Sequence, residues 1–242
     1  MNDHQLAARL ATEAGTLLLG VRSELSEATA AERKAQGDKR SHEFLMAQLA
    51  ASRPGDAVLS EEGVDNPVRL TAERVWIVDP LDGTREFSEL DRDDWAVHVA
   101  LWERGELVAG AVALPGQGVT LATPGVSVPP AHAGAPRILV SRTRPPAVAM
   151  QVRDALGADL VEMGSAGAKV AAVVQGRAEV YVHAGGQYEW DSAAPVAVAR
   201  AAGLHTSRVD GSPLRYNQSD PLLPDVVVCR PEFADAVLTA LR

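Results

Sequence analysis

Apolar residues Leu6, Leu10, Ala14, Leu17, Leu18, Val21 and Leu25 recur every three or four positions, the spacing that lines one face of a helix. Asn2 or Asp3 stands ahead of them as a capping residue, so the chain is predicted to open with an amphipathic helix. The polar stretch 26–37 breaks the pattern. A second helix is expected to begin near Asp38, to turn Phe44, Leu45, Met46 and Leu49 inward, and to stop before Arg53-Pro54-Gly55.

Beyond it the period shortens. Residues 57–59, 75–78, 95–101 and 107–114 read as strands, and Glu103-Arg104-Gly105-Glu106 joins the last two as a hairpin. A Pro-, Gly- and Ala-rich stretch, 125–136, is the expected boundary inside a single unit of residues 1–242, separating subdomains 1–134 and 135–242. After it, strands at 137–140, 160–162 and 179–182 alternate with helices at 145–156, 165–175 and 191–202, which implies a layered α/β half. Val226-Val227-Val228 reads as one more buried strand, with Cys229 as a core thiol.

Charge and composition narrow the function classes. A formal net charge of −9 argues against a nucleic-acid binder that works by counterion release. A small phosphorylated substrate remains compatible, because bound metal ions reverse the local field. One cysteine excludes an intrachain disulfide, and no basic segment with an apolar core opens the chain, so the expected address is the cytoplasm. No apolar run approaches the roughly 20 residues of a membrane helix, and no membrane partner is expected.

The chemistry concentrates in Trp76-Ile77-Val78-Asp79-Pro80-Leu81-Asp82-Gly83-Thr84, where a strand is expected to end at Pro80 among two aspartates three positions apart. Taken alone, the aspartates fit an ordinary turn as well as a cation site. The full stretch resembles the signature of the lithium-sensitive, magnesium-dependent inositol monophosphatase family. Two further segments are similar to that family's motifs: Val58-Leu59-Ser60-Glu61-Glu62-Gly63 upstream and Glu189-Trp190-Asp191-Ser192-Ala193-Ala194-Pro195 downstream. For Asp191 an N-cap role is expected alongside the metal role.

The resemblance implies an α+β fold, the layered αβαβα sandwich of the sugar phosphatases. It implies two or three Mg²⁺ ions shared by Glu61, Asp79, the Leu81 carbonyl, Asp82 and Asp191, and a phosphate received by the amides of Gly83 and Thr84, with Arg85 beside them. Glu61 and Asp38 are the expected catalytic carboxylates. The family commonly carries a Thr-x-x-Asp that orients the attacking water, whereas this chain has Ala35 in the threonine position of Lys34-Ala35-Gln36-Gly37-Asp38. Three options remain open: Asp38 acts without a hydroxyl, a hydroxide on the metal suffices, or another side chain substitutes. An N-cap role is also open for Asp38.

Ile138-Leu139-Val140-Ser141-Arg142-Thr143-Arg144 looks like the CysQ-type branch, which removes the 3′-phosphate of 3′-phosphoadenosine 5′-phosphate in sulfur assimilation. A second substrate phosphate gives Ser141 and Arg142 or Arg144 a role, since guanidinium groups bind phosphate bidentately. Gly164-Ser165-Ala166-Gly167-Ala168-Lys169 resembles the family segment lining the sugar side of the pocket, which nominates Gly164, Ser165 and Lys169, with Asp82 and Asp191, as substrate contacts. The alternatives are inositol monophosphatase or fructose-1,6-bisphosphatase activity, or a non-catalytic relative that binds metal and a phosphorylated ligand. Homodimers are common in the family, but no residue here establishes one. His42 and His98, with no second ligand at zinc-like spacing, read as structural or surface groups.

Overall fold

The computed structural model describes residues 1–130, 134–143 and 145–242. Helix α1, Asp3–Glu24, is capped by Asn2, whose side chain accepts from the Gln5 amide at 2.9 Å. Helix α2 spans Ala30–Ser52 and so begins well before Asp38. Thr29 caps it by accepting from the Glu32 amide, and Arg33 donates to the carbonyls of Leu25 and Ser26, which fixes the tight connection from α1. Its first turns carry almost no apolar face, so hydrophobic periodicity could not reveal them. Gly37 is no breaker: it sits buried in the helix where a Cβ would lie 2.6 Å from Phe87 and 2.8 Å from Leu81.

Strands β1 (Ala57–Ser60), β2 (Arg74–Asp82), β3 (Ala96–Glu103), β4 (Glu106–Leu114) and β5 (Val119–Ala122) form one sheet in that order. The β1–β2 pair is parallel and the rest are antiparallel. The expected hairpin turns on Arg104 and Gly105, both at positive φ. Short helix α3 (Thr84–Ser88) follows β2. Strands β6 (Arg137–Ser141), β7 (Asp159–Met163), β8 (Val180–Ala184), β9 (His205–Ser207) and β10 (Asp225–Cys229) make a second sheet, ordered β7-β6-β8-β10-β9. Helices α4 (Ala147–Leu156), α5 (Ala166–Val174), α6 (Glu189–Ala201) and α7 (Ala234–Ala240) complete the chain.

Strand alternation sorts the side chains into layers. Trp76, Val78, Val97, Val99 and Leu101 pack against Leu6, Leu10, Leu18, Leu45 and Leu49 of α1 and α2. Their neighbours Val75, Ile77, Ala96 and Ala100 face the opposite way, onto α5 and α6 and then Leu139, Tyr181, Val226 and Val228 of the second sheet. The outer face of that sheet, with Ile138, Val140, Val182, Val227 and Cys229, is covered by Ala149 and Val152 of α4 and Val237 of α7. The result is the expected αβαβα sandwich. With both faces of both sheets covered, the central strands are near-continuous apolar runs, which is why they were legible.

The first sheet ends at Ala122 and the second starts at Arg137; residues 131–133 of the expected boundary lie outside the described residues. Helix α6 packs on β2, β3 and β4 of the first sheet as well as on the second sheet, so the two halves share one core. Among the described residues no helix is long and apolar enough to cross a membrane.

Candidate metal centre

Strand β2 does not stop at Pro80 but runs on to Asp82, and its register against β3 shifts on the way. Asp79 lies opposite His98 and Asp82 opposite Ala96, so three steps along β2 match two along β3. In a regular strand, residues three apart point to opposite faces. The bulge supplies the extra residue and brings both carboxylates onto the face of Ala96 and His98, toward α5 and α6. Pro80 has no N–H to pair at this point, and its carbonyl accepts from the Ser41 hydroxyl at 2.7 Å.

Asp191 arrives from the first turn of α6. It is not the N-cap: Tyr188 holds that position, and Asp191 Oδ2 reaches back to accept from the Tyr188 amide at 2.7 Å. One oxygen each of Asp79, Asp82 and Asp191 lies within 4.8 Å of the others. Glu61, just after β1, is not part of that triangle; exposed as a residue, it hydrogen-bonds through its carboxyl group to Asp79.

The four acids differ in charge state. Burial pushes Asp79 well above the carboxylate range, reinforced by the charges of Glu61 and Asp82. Burial and Asp82 push Asp191 up to about 7, and desolvation with the Asp82 and Glu62 charges takes Glu61 to about 7 as well. Asp82 goes the other way, down to about 2, because His98 and its hydrogen bonds outweigh its burial. Its Oδ2 accepts from Ser165 Oγ at 2.5 Å and the Gly167 amide at 2.6 Å, and its Oδ1 from the Ala166 amide at 3.2 Å, all at the start of α5. Among the described residues no arginine or lysine forms an ion pair with Asp79, Asp191 or Glu61. Crowded, mutually repelling carboxylates with one histidine and no arginine or lysine among them fit a hard divalent cation, which removes the repulsion and prefers oxygen ligands.

Beside the triangle, Gly83 holds φ at +82°, a conformation that disfavours any side chain, and a Cβ there would press on Ser165 at 3.0 Å. The next residue, Thr84, has its Oγ1 3.3 Å from Asp38 Oδ1 and 3.1 Å from the Leu81 carbonyl. Asp38 lies inside α2 instead of capping it. Burial and the Glu62 charge raise its carboxyl to about 6, with the Thr84 hydrogen bond pulling the other way. Thr84, and not residue 35, is thus the side chain that brings a hydroxyl to Asp38.

The remaining nominated residues are held by the protein itself. Ser165 caps α5, accepting from the Ala168 amide at 2.9 Å, and the Gly164 amide donates to Asp94 at 2.5 Å. Lys169 is buried and spends its ammonium on the carbonyls of Gly164 and Ser165, both at 2.7 Å; burial pushes it down to about 8. Arg142 donates to Glu86 at 2.8 Å and to Glu89 at 2.7 Å, so its guanidinium is already engaged by carboxylates. Arg85 is exposed and pairs with Glu89 at 3.3 Å. Ser141 Oγ accepts from the Thr143 amide at 3.4 Å, and Arg144 lies outside the described residues. Ser141 and Thr143 also line a cavity of about 580 Å³, with Pro145, Pro146, His183, Ala184, Gly185 and Gly186, beyond the carboxyl ends of β6 and β8. Ligands of α/β sheets bind in that kind of crevice.

His98 is the residue the sequence understated. It is fully buried, with Nε2 3.2 Å from Asp82 Oδ2 and Nδ1 3.0 Å from the Trp190 carbonyl. Burial opposes its protonation, but the Asp82 charge wins and holds the imidazole above its usual range. Its one visible signal was a polar residue at a core position of an otherwise apolar strand.

The inositol monophosphatase family profile matches residues 3–127 and 133–242. A 3′-phosphoadenosine 5′-phosphate phosphatase of Mycobacterium bovis is 53% identical over 238 residues, covering 95% of this chain and 89% of its own. The 3′(2′),5′-bisphosphate nucleotidase CysQ of Escherichia coli is 32% identical over 77% of this chain and 80% of its own. Among solved structures, CysQ from Bacteroides thetaiotaomicron superposes with a TM-score of 0.77 at 28% identity, covering 93% of this chain and 96% of that one.

Proposed function

The chain belongs to the inositol monophosphatase family, and from that membership we propose that it is a Mg²⁺-dependent phosphomonoesterase that hydrolyses the 3′-phosphate of 3′-phosphoadenosine 5′-phosphate to AMP and phosphate, a step of sulfur assimilation. The observation that carries the chemistry is the triangle of buried Asp79 and Asp82 with half-buried Asp191. The 53% identity to a phosphatase of that name supports the choice of substrate.

In this reading Glu61, Asp79, the Leu81 carbonyl, Asp82 and Asp191 hold the metal. Magnesium bound there would supply positive charge to the phosphoryl oxygens and make water more acidic. The Gly83 and Thr84 amides, at the start of α3, receive the phosphate. Thr84 Oγ1 directs its proton to Asp38 and presents a lone pair to the attacking water. Asp38, held near 6, is the terminal acceptor of the water's proton close to neutral pH. The phosphoryl group passes to the water oxygen, and the departing 3′-oxygen takes a proton from solvent. The cavity at the ends of β6 and β8 offers room for the nucleoside and its second phosphate, with Ser141 at its edge.

Removing one ligand charge tests the assignment. Asp82→Asn should abolish Mg²⁺-dependent phosphate release from 3′-phosphoadenosine 5′-phosphate while the protein stays folded by circular dichroism. Full turnover in that variant would mean the metal ligands are assigned to the wrong residues.

A further inference from the structure

We propose that His98 is a positioning residue that sets the spacing between the metal-binding carboxylates of the two halves of the chain. The inference rests on the metal reading of Asp82 and Asp191. Asp82 ends β2 in the first sheet, whereas Asp191 belongs to α6, and no direct hydrogen bond joins them among the described residues. His98 spans the gap. From β3, its Nδ1 donates to the Trp190 carbonyl at 3.0 Å, the peptide oxygen next to Asp191, while its Nε2 faces Asp82 Oδ2 at 3.2 Å. A carbonyl can only accept, so Nδ1 carries a proton and the ring orientation is fixed.

The surroundings are built for this ring and for no larger displacement of it. His98 is completely buried. Gly167, whose amide also grips Asp82, packs directly on the imidazole: a Cβ at that position would fall 1.9 Å from Nε2. The β2–β3 register places His98 directly opposite Asp79, with Nδ1 3.9 Å from Asp79 Oδ2, and the bulge that follows brings Asp82 to the same face. One side chain thus touches the strand that carries two carboxylates of the triangle and the helix that carries the third. Such partners of a metal ligand orient it, and their loss costs roughly tenfold to a hundredfold in metal affinity.

Two substitutions separate the ends of the ring. His98→Gln keeps an amide nitrogen at the reach of Nε2, near Asp82, but loses Trp190; His98→Asn keeps one at the reach of Nδ1 and donates to Trp190 but loses Asp82. Mg²⁺ is titrated alone, without substrate, into each folded protein by calorimetry, with Asp82→Asn as the ligand-loss control. The expected result is that wild type binds, Asp82→Asn does not, and His98→Asn and His98→Gln, each keeping only one end of the bridge, both bind about tenfold or more weakly. If both histidine variants bind Mg²⁺ as tightly as wild type, the positioning role is wrong while the metal site stands. If wild type itself binds no Mg²⁺, the metal reading is wrong, and this inference with it. Affinity lost in only one of the two histidine variants would also overturn it, since a residue that acts by spanning two contacts fails when either is cut.

Discussion

At the scale of single residues, the question is how a chain with Ala35 in the expected threonine position activates water. In the proposed reading Thr84 answers it by position: the same turn that starts α3 places its hydroxyl 3.3 Å from Asp38. Thr84→Ala and Asp38→Asn should each lower kcat by about 10²–10⁴-fold with KM for substrate and Mg²⁺ affinity little changed, whereas Thr84→Ser should retain most of the rate. Steady-state kinetics separates these outcomes, and a change confined to KM would assign the pair to binding instead. Asp38 itself was legible as a candidate, but its partner was not, because the two are far apart in sequence and meet only when α2 crosses the turn after β2. Likewise Arg142 looked like a phosphate ligand, and only the fold reveals that Glu86 and Glu89 already engage it.

At the scale of elements, the strands and most helices were readable because they are buried on defined faces. Helix α2 was read short: its opening turns have no apolar stripe, and its start depends on Thr29 and on Arg33 reaching back to the preceding carbonyls. Strands β5 and β9, of four and three residues, are too short to show a period. The β2 bulge was invisible as well, since sequence shows two aspartates three apart but not that pairing with β3 slips by one residue between them. Gly37 closes the polar stretch 26–37 that interrupts the apolar pattern in sequence, and it acts as a contact in structure. Gly37→Ala would drive a methyl group into Phe87 and Leu81, so unfolding in urea should show a loss of roughly 1–3 kcal/mol, and kcat should fall because Asp38 is the next residue. An unchanged midpoint and unchanged rate would mean that α2 and α3 can separate without consequence.

At the scale of the whole molecule, the site is a seam. Asp79 and Asp82 come from the first sheet, Asp191 and the α5 amides from the second half, and metal binding should therefore couple to global stability. Without metal, Asp191 and Glu61, raised to about 7, keep protons between about pH 4 and pH 7 that the unfolded chain has already released, and Asp79 is raised in the same direction. Folding then binds more protons than unfolding, so stability of the metal-free protein should fall as pH rises through that window. Asp82, lowered to about 2, acts in a separate window, stabilising above about pH 4 and losing that contribution toward pH 2. Mg²⁺ at a hundred times its Kd should restore about 2.7 kcal/mol at pH 8. Urea denaturation at pH 5 and pH 8, with Mg²⁺ and with chelator, reads both effects, and a metal-free protein equally stable at the two pH values would show that the acids are not crowded in solution.

The substrate is the claim most open to direct test. Initial rates of phosphate release would be measured side by side for 3′-phosphoadenosine 5′-phosphate, inositol 1-phosphate and fructose 1,6-bisphosphate, each with Mg²⁺ and with chelator. The expected result is phosphate release that requires Mg²⁺, with kcat/KM for the bisphosphate nucleotide at least about tenfold above either sugar phosphate, a difference of about 1.4 kcal/mol in transition-state binding. A kcat/KM that favours inositol 1-phosphate or fructose 1,6-bisphosphate, or a rate indifferent to chelator, would contradict it.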